Sequence, residues 1–346
     1  MVIYIHFPID FQSQYEKLIP MLMIITLIAG LAMLLGGGNL LVRGASGIAR
    51  AMHVSPLVIG LTVVAFGTSA PELVVNLTAV FKGSQGIAFG NVIGSNISNI
   101  GLILGLTAIL RPLAVKGVVI VREIPMMILV AVVAVIIGLD GAMTGAADSF
   151  TRPDGLILLL LLAVFLYYNT YDAVKERRSD RYLSLVQEHV PSRSLGTILA
   201  GTVMTVAGLG LLIAGGKLTV TGAVSVAAAL GVSDALIGLT VIAVGTSLPE
   251  LATSLVAVWK DESELAVGNI VGSNILNLSL ILGLVSVISP VNVPPGGWFD
   301  LAAMLMFSLI LLPISITSRR TITRTEGITL LAGYCVYVVV RSAVLG

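Results

Sequence analysis

The chain has 346 residues, of which 57% are hydrophobic and only 11% are charged. Soluble globular proteins carry about 25% charged residues, so this composition excludes a water-soluble fold and predicts a polytopic membrane protein. The 19 Lys and Arg residues nearly balance the 18 Asp and Glu residues, leaving a net charge of +1, which argues against a nucleic-acid-binding surface.

Ten apolar blocks follow one another along the chain, and each is long enough for the roughly 20 residues with which a helix crosses the hydrocarbon core. In chain order they are 18–42, 54–81, 87–110, 118–139, 154–172, 195–217, 232–259, 265–288, 298–317 and 326–344. No small-residue cleavage site follows the first block, so it is interpreted as a retained span rather than a signal peptide. We therefore predict an all-α membrane protein with ten transmembrane helices.

A polar stretch containing KERRSDRY divides the ten blocks into two groups of five. This predicts a first five-helix unit with a polar N-terminal lead-in (1–172), a cytoplasmic linker (173–194) and a second five-helix unit (195–346). Cytoplasmic loops are enriched in Lys and Arg. With both termini outside, 14 basic residues fall on the inner side and five on the outer side. We therefore expect a multi-pass protein of the plasma membrane with extracellular termini.

The two units are copies of each other at a constant offset of 178 residues. Gly60–Leu77 matches Gly238–Leu255 at 12 of 18 positions, and Gly90–Leu106 matches Gly268–Leu284 at 12 of 17. A duplicated unit with five spans must cross the membrane in opposite senses, so the copies form an inverted repeat. Inverted repeats are typical of secondary transporters, whose binding site lies near the midplane between the halves.

The motifs GTSAPE (Gly67–Glu72) and GTSLPE (Gly245–Glu250) lie in the middle of the second and seventh blocks. Proline lacks an N–H and distorts a helix, and irregular backbone at membrane depth is tolerated only where it is buried or lines a cavity. The motifs therefore bring free carbonyls, hydroxyls and a carboxylate together in each half. This predicts an all-oxygen site for a hard cation, with hydroxyls from Thr68, Ser69, Thr246 and Ser247.

Glu72 and Glu250 carry the strongest functional signal, because no other acidic residue lies near the middle of an apolar block. A charge at the centre of a span costs roughly 2.5–3.5 kcal/mol even on lenient insertion scales. Two carboxylates brought together also repel each other. A Ca²⁺ ion would neutralise both, and Ca²⁺ accepts 6–8 oxygen ligands in flexible geometry. Several Na⁺ ions, or protons, would neutralise the same charge.

The third and eighth blocks carry polar residues four positions apart, which places each set on one helix face. Ser95, Asn99, Ser273 and Asn277 are predicted to line the site. Their neighbours Asn91 and Asn269 are interpreted as residues that hold helices together.

The paired G-T-S-x-P-E and G-N-x-x-G-S-N segments resemble the alpha repeats of the cation/calcium antiporter superfamily, in particular the prokaryotic sodium/calcium exchangers. The similarity of layout covers essentially the whole chain. The resemblance implies ten helices, of which spans 2, 3, 7 and 8 form the ion-binding core while the long, tilted spans 1 and 6 slide across it. It also implies Na⁺-driven Ca²⁺ transport with more than two Na⁺ per Ca²⁺, which is electrogenic.

The resemblance also implies a set of ligands by position. The calcium site of the family corresponds to Glu72 and Glu250 with the backbone carbonyls of Thr68 and Thr246. The flanking sodium sites correspond to two matching groups, namely Ala65 (carbonyl), Thr68, Ser69 and Ser95, and Ala243 (carbonyl), Thr246, Ser247 and Ser273. Asn99 and Asn277 take the remaining central positions.

Asn277 is a departure from part of this family. Some prokaryotic members and the potassium-dependent branch have Asp at this position, so the resemblance predicts exchange without K⁺. The proton-coupled branch normally shows a different acidic motif, which favours Na⁺ as the driving ion. A Ca²⁺/H⁺ antiporter that uses the same two glutamates is the alternative, and H⁺ is an expected competitor.

Two other function classes fit the sequence less well. An intramembrane hydrolase needs a nucleophile and base or two core aspartates, but no Asp lies in a block centre and no His lies beside the GTS serines. A channel could use the same ligands, although inverted duplication favours alternating access. We therefore predict a transporter, not an enzyme, that works as a monomer in lipid with Ca²⁺ and Na⁺ as its transported ions.

Overall fold

The computed structural model describes residues 11–141, 147–186, 195–230 and 245–345, and most of them are helical. The first half contains α1 (Phe11–Met52), α2 (Pro56–Thr68), α3 (Ala70–Phe81), α4 (Gln85–Leu110), α5 (Val119–Gly138) and α6 (Arg152–Val186). The second half contains α7 (Leu195–Ala229), α8 (Leu248–Trp259), α9 (Ser263–Ile288), α10 (Gly297–Arg320) and α11 (Arg324–Leu345).

In the described part of the chain, eight helices are long and apolar enough to cross a membrane, and the bent pair α2–α3 makes nine. The predicted all-helical membrane fold is therefore confirmed. The predicted seventh span, 232–259, lies outside the described residues up to position 244, and its remaining part contains the 12-residue α8. Nine of the ten predicted spans thus have a counterpart among the described helices.

Several helices extend beyond the predicted blocks. Helix α1 continues to Met52 rather than position 42, α7 continues to Ala229 rather than 217, and α6 includes residues 173–186 of the predicted linker. The sequence boundaries were placed near Arg43 and Lys217, but both side chains are exposed and the helices pass through them. Long basic side chains reach away from apolar surroundings without interrupting a helix.

The two halves of the fold repeat each other in detail. Helices α3 and α8 begin 178 residues apart, as do α4 and α9, and each of the latter two contains a π-helical segment at the same relative place (Asn99–Leu104 and Asn277–Leu282). Helices α4 and α9 are also the two most deeply buried of the eight long spans. The core of the protein is therefore built from equivalent elements of both copies.

Short strands join the two halves reciprocally. Strand β1 (Leu113–Ala114), which follows α4, pairs antiparallel with β4 (Thr321–Ile322), while β3 (Val291–Asn292), which follows α9, pairs antiparallel with β2 (Ser149–Phe150). Each half thus supplies the strand partner for the other. The two strand pairs therefore join the C-terminal end of α4 to the second half and the C-terminal end of α9 to the first half.

Helices α1 and α7 form the most extensive helix pair. Glycines let the two backbones approach closely, as in other small-residue membrane interfaces. A Cβ atom on Gly37 would lie 2.8 Å from both the Gly208 carbonyl oxygen and the Leu212 backbone nitrogen, and one on Gly208 would lie 2.5 Å from the Leu41 nitrogen. The pair therefore packs backbone against backbone, and α1 also contacts α8 at the edge of the core.

Candidate functional site

The break between α2 and α3 places a glutamate in the first turn of a helix, and α8 begins in the same way. Ser69 has φ −82° and ψ 4°, and Ser247 has φ −87° and ψ 7°, so neither residue is helical. Pro71 and Pro249 lie in the first turns that follow, where proline's fixed φ is accommodated and its missing N–H has no partner to lose. The chain direction changes by 42° at Ser69.

The two serines at these breaks do not cap their own helices. A serine at a helix N-cap ordinarily accepts a hydrogen bond from a backbone N–H of the first turn, but neither Ser69 nor Ser247 does so. Instead, the Ser69 hydroxyl donates to Glu250 Oε1 at 3.0 Å, and the Ser247 hydroxyl donates to Glu72 Oε1 at 3.4 Å. The serine at each break therefore donates a hydrogen bond to the carboxylate of the other half.

Serines of α4 and α9 complete the same cluster. The Ser273 hydroxyl donates to Glu250 Oε1 at 3.4 Å, and the Ser95 hydroxyl lies 3.3 Å from that of Ser247. These side chains are at most 3% exposed, and both glutamates are 1% exposed. The site is therefore a buried cluster of two carboxylates and four serine hydroxyls, drawn equally from the two repeats.

Two threonine–asparagine contacts flank this cluster and cross between the halves. The Thr68 hydroxyl donates to Asn269 Oδ1 at 3.0 Å, and the Asn91 side-chain amide donates to the Thr246 hydroxyl at 3.1 Å. The predicted role of Asn91 and Asn269 in holding helices together agrees with these contacts. Both threonine hydroxyls also lie beside a glutamate, Thr246 beside Glu72 and Thr68 beside Glu250.

Asn99 and Asn277 are buried at the first positions of the two π-helical segments. The Asn99 side-chain amide donates to Asn274 Oδ1 at 3.0 Å, and the Asn274 amide in turn lies 3.6 Å from Met127 Sδ. Because Asn99 uses its nitrogen in this way, its oxygen is left for another partner.

Four of the buried oxygens in this region have no hydrogen-bond partner among the described residues. They form two repeat-related pairs, namely Glu72 Oε2 and Glu250 Oε2, and Asn99 Oδ1 and Asn277 Oδ1. Leaving a buried acceptor unsatisfied costs about 1–3 kcal/mol, and more for a charged group, so these oxygens, two of them on carboxylates, indicate an electropositive partner. Carboxylate, amide and hydroxyl oxygens suit a hard cation such as Ca²⁺.

The structure therefore brings together most of the side chains that the sequence predicted. Ala65 is buried, but its carbonyl already accepts from the Ser69 N–H at 3.0 Å and the Thr68 hydroxyl at 3.3 Å. Ala243 lies outside the described residues. For Asn99 and Asn277, the structure gives burial and free oxygens rather than a direct contact with either glutamate.

Sequence reasoning missed three polar residues that orient this cluster, namely Asn76, Ser254 and Asn274. Asn76 and Ser254 occupy the same place in the two repeats but differ in type, so a search for identical positions passes over them. Their position was the available signal, because each lies four residues after a glutamate and therefore on its helix face. Asn274 is the last residue of the second G-N-x-x-G-S-N segment, and no separate role is predicted for it from the sequence.

Comparisons with known proteins agree with this arrangement. The sequence model of the family described as "Sodium/calcium exchanger protein" matches residues 22–171 and 200–343. Among relatives, the chain is 37% identical to the inner membrane protein YrbG of Escherichia coli K12 over 313 residues (90% of this chain, 94% of that protein). It is 33% identical to the sodium/calcium exchanger MaX1 of Methanosarcina acetivorans over 341 residues (91% of this chain, 97% of that protein).

Solved structures are similar over the same extent. The sodium-calcium exchanger NCX_Mj soaked with Na⁺ and Ca²⁺ superposes with a TM-score of 0.76 at 33% identity, covering 92% of this chain and 98% of that one. The same exchanger soaked with Na⁺ and Sr²⁺ superposes with a TM-score of 0.78 at 32% identity.

Proposed function

The chain belongs to the sodium/calcium exchanger protein family and is a membrane antiporter of cations, and on this premise we propose that it exchanges Na⁺ for Ca²⁺ by alternating access. The observation that supports this proposal is a pair of hydrogen bonds between the repeats. Ser69 of the first repeat donates to the buried carboxylate of Glu250, and Ser247 of the second donates to that of Glu72. We assign Ca²⁺ to this carboxylate pair and Na⁺ to the flanking hydroxyl groups.

Charge balance supplies the exchange mechanism. Two ionised carboxylates in a buried site are unfavourable unless a cation neutralises them, so the empty site resists the change between its two open faces. One Ca²⁺, or two or more Na⁺, removes this penalty and allows the change. Because both ions neutralise the same two glutamates, they compete, and the entry of one on either side promotes release of the other.

The packing of the helices indicates which of them move during transport. The glycine contacts pack α1 and α7 backbone against backbone as one unit, whereas α4 and α9 are buried and joined to the opposite halves by strands. We therefore propose that α1 and α7 slide as a pair across a static core formed by α2, α3, α4, α8 and α9.

The ion selectivity is part of the same proposal. We propose that more than two Na⁺ ions are exchanged for each Ca²⁺, so that transport is electrogenic, and that K⁺ is not required because Asn277 contributes no carboxylate. A Ca²⁺/H⁺ antiporter is the second candidate. It is favoured by the unpartnered Oε2 atoms of Glu72 and Glu250, which could accept protons in place of a metal ion.

We also propose the membrane arrangement that the basic residues favour, with residues 1–172 and 195–346 as two inverted units, the 173–194 segment in the cytoplasm and both termini outside. A Cys335→Ser background with Val190→Cys tests this orientation. A membrane-impermeant maleimide is expected to label the introduced cysteine only after the cells are permeabilised, and labelling of intact cells would contradict the orientation.

The deciding experiment for the function is Ca²⁺ uptake into proteoliposomes loaded with Na⁺ and diluted into Na⁺-free medium. Uptake that follows the Na⁺ gradient and responds to an imposed membrane potential supports electrogenic Na⁺/Ca²⁺ exchange. Uptake driven by a pH gradient alone and indifferent to Na⁺ would replace this proposal with the Ca²⁺/H⁺ candidate. Liposomes without protein and liposomes with equal Na⁺ on both sides are the controls.

A further inference from the structure

The two flanking threonines are held by hydrogen-bond chains of different composition. In the first chain, Asn76 of α3 contacts Asn91 of α4, and Asn91 contacts Thr246. In the second chain, Ser254 of α8 contacts Asn269 of α9, and Asn269 contacts Thr68. The chains are related by the repeat, and the first member, Asn76 or Ser254, is the only one whose residue type differs between them.

The direction of the first chain is fixed by the backbone. The Asn76 side-chain nitrogen donates to the Glu72 carbonyl oxygen at 2.7 Å and also to Asn91 Oδ1 at 2.7 Å. A backbone carbonyl only accepts hydrogen bonds, so the Asn76 amide cannot be reversed. Asn91 must then present its oxygen to Asn76 and its nitrogen to the Thr246 hydroxyl, which it contacts at 3.1 Å.

The second chain runs in the opposite direction. The Asn269 nitrogen donates to the Ser254 hydroxyl at 3.2 Å, so its oxygen faces Thr68 and accepts that residue's proton at 3.0 Å. A serine hydroxyl both donates and accepts, so Ser254 permits this direction whereas an asparagine anchored like Asn76 would not. All three residues of this chain are fully buried.

The two directions give the threonine hydroxyls different capacities to bind a cation. A hydroxyl has one proton and two lone pairs. Thr68 gives its proton to Asn269 Oδ1 at 3.0 Å, the shorter of its two acceptor contacts, since the Ala65 carbonyl oxygen lies at 3.3 Å, and it keeps both lone pairs. One lone pair of the Thr246 hydroxyl is occupied by the Asn91 N–H. The positive partial charge of that N–H also points toward the hydroxyl oxygen, where a cation would bind. The Thr246 proton remains available to the Glu72 carboxylate beside it.

We propose that Asn76 and Ser254 are positioning residues that make the two flanking Na⁺ sites unequal, with the Thr68 side the stronger and the Thr246 side the weaker. The inference rests on the proposed Na⁺/Ca²⁺ exchange. Asn76 and Ser254 lie outside the set of ion ligands. They produce the inequality by setting the orientation of the Asn91 and Asn269 amides. Neither residue contacts the central carboxylates through its side chain.

The test measures how much Na⁺ displaces half of the bound ⁴⁵Ca²⁺ from purified protein at constant ionic strength. Asn76→Ser frees Asn91 to turn its oxygen toward Thr246 and is expected to lower this Na⁺ concentration by about three- to tenfold, the range corresponding to one neutral hydrogen bond. Ser254→Asn is expected to raise it by a similar factor, and the double variant is expected to return it to the wild-type value.

Two further readouts separate this role from simple damage to the fold. The Kd for Ca²⁺ in Na⁺-free buffer is expected to stay within about twofold of the wild-type value for all variants, because both carboxylates keep their charge and their serine contacts. Shifts of Asn76→Ser and Ser254→Asn in the same direction, or no shift in either, would overturn the inference. If Asn76→Ser does not fold, Ser254→Asn alone still decides the sign. Failure of Na⁺ to displace Ca²⁺ from the wild-type protein would instead refute the proposed exchange.

Discussion

Ser69 donates a hydrogen bond of 3.0 Å to Glu250, a residue of the other repeat that lies 181 positions further along the chain. The repeat counterpart of this contact joins Ser247 to Glu72. The two contacts mean that neither repeat contains a complete set of partners for its own carboxylate. The binding site exists only when the two halves are packed against each other, and a change in that packing changes both carboxylate environments at once.

Removing one of these hydroxyls is expected to weaken Na⁺ binding more than Ca²⁺ binding. The Ser69 hydroxyl oxygen is assigned to a Na⁺ site, and contacts between a polar and a charged group contribute about 1.5–3 kcal/mol, so Ser69→Ala is expected to raise the half-saturating Na⁺ concentration by about tenfold or more. Ser247→Ala is expected to do the same, because it is the repeat counterpart. The measurement is the Na⁺ dependence of Ca²⁺ exchange in proteoliposomes.

Ser308→Ala is the matched control for these variants. Ser308 is equally buried, but its hydroxyl donates to the Met304 carbonyl of its own helix at 2.9 Å. Its removal is expected to leave the Na⁺ dependence unchanged. Equal effects of Ser308→Ala and Ser69→Ala would show that the loss is a general packing effect.

Each glutamate is expected to be indispensable for exchange. Glu72→Gln and Glu250→Gln retain the shape of the side chain but leave a single negative charge, which cannot neutralise a divalent ion in a buried site. Na⁺-dependent Ca²⁺ uptake is expected to fall to the level of protein-free liposomes in each variant. Glu72→Asp and Glu250→Asp keep the charge and are expected to retain measurable uptake. Wild-type rates in either glutamine variant would remove the carboxylate pair from the mechanism.

These residues also show how far the sequence could predict the site. Glu72 and Ser69 were predictable because a carboxylate and a hydroxyl in the middle of an apolar block are costly and rare, and because the repeat presents them twice. For Asn76 the only signal was its position four residues after Glu72, and Asn274 had none, since a buried amide that orients another amide has no distinctive pattern. Its role depends on which neighbour lies opposite, and the pairing of α3 with α4 and of α4 with α9 is a tertiary fact.

The fold shows the same division. The apolar blocks predict membrane helices, which the structure confirms, whereas the inversion that follows from an odd number of spans in each copy stays a prediction. The predicted ends at 42 and 217 are wrong because the charges of Arg43 and Lys217 do not end the helices, and both side chains are exposed on continuous helices. The exchange of strands between halves could not be predicted, because two-residue strands have no sequence signature.

Potassium is expected to have no effect on exchange. The Asn277 side chain is neutral, and its Oδ1 is one of the buried oxygens without a partner among the described residues, so Asn277 adds no third negative charge for K⁺ to balance. Replacing K⁺ by choline on both sides of the liposomes is expected to leave the Na⁺-dependent Ca²⁺ uptake unchanged. Stimulation by K⁺ at saturating Na⁺ would contradict this reading of Asn277.

The close approach of α1 and α7 gives a prediction with an adjacent control. A Cβ on Gly37 would lie 2.8 Å from backbone atoms of α7, whereas a Cβ on Gly36 would have no neighbour within 4 Å. Gly37→Ala forces the helices apart at a cost of about 1–3 kcal/mol and is expected to lower the Tm and slow exchange. Gly36→Ala only gains helix propensity, up to about 1 kcal/mol, and is expected to keep or raise the Tm. Equal behaviour of the two variants in thermal unfolding and Ca²⁺ uptake would refute the close packing.

The breaks at Ser69 and Ser247 have a consequence for ion release. Because α3 and α8 both begin there, the positive ends of two helix dipoles converge on the two carboxylates, and each is equivalent to roughly half an elementary charge. The backbone thereby offsets part of the negative charge of the pair before any ion arrives. The helix starts are therefore expected to weaken Ca²⁺ binding somewhat, which favours ion release and hence turnover.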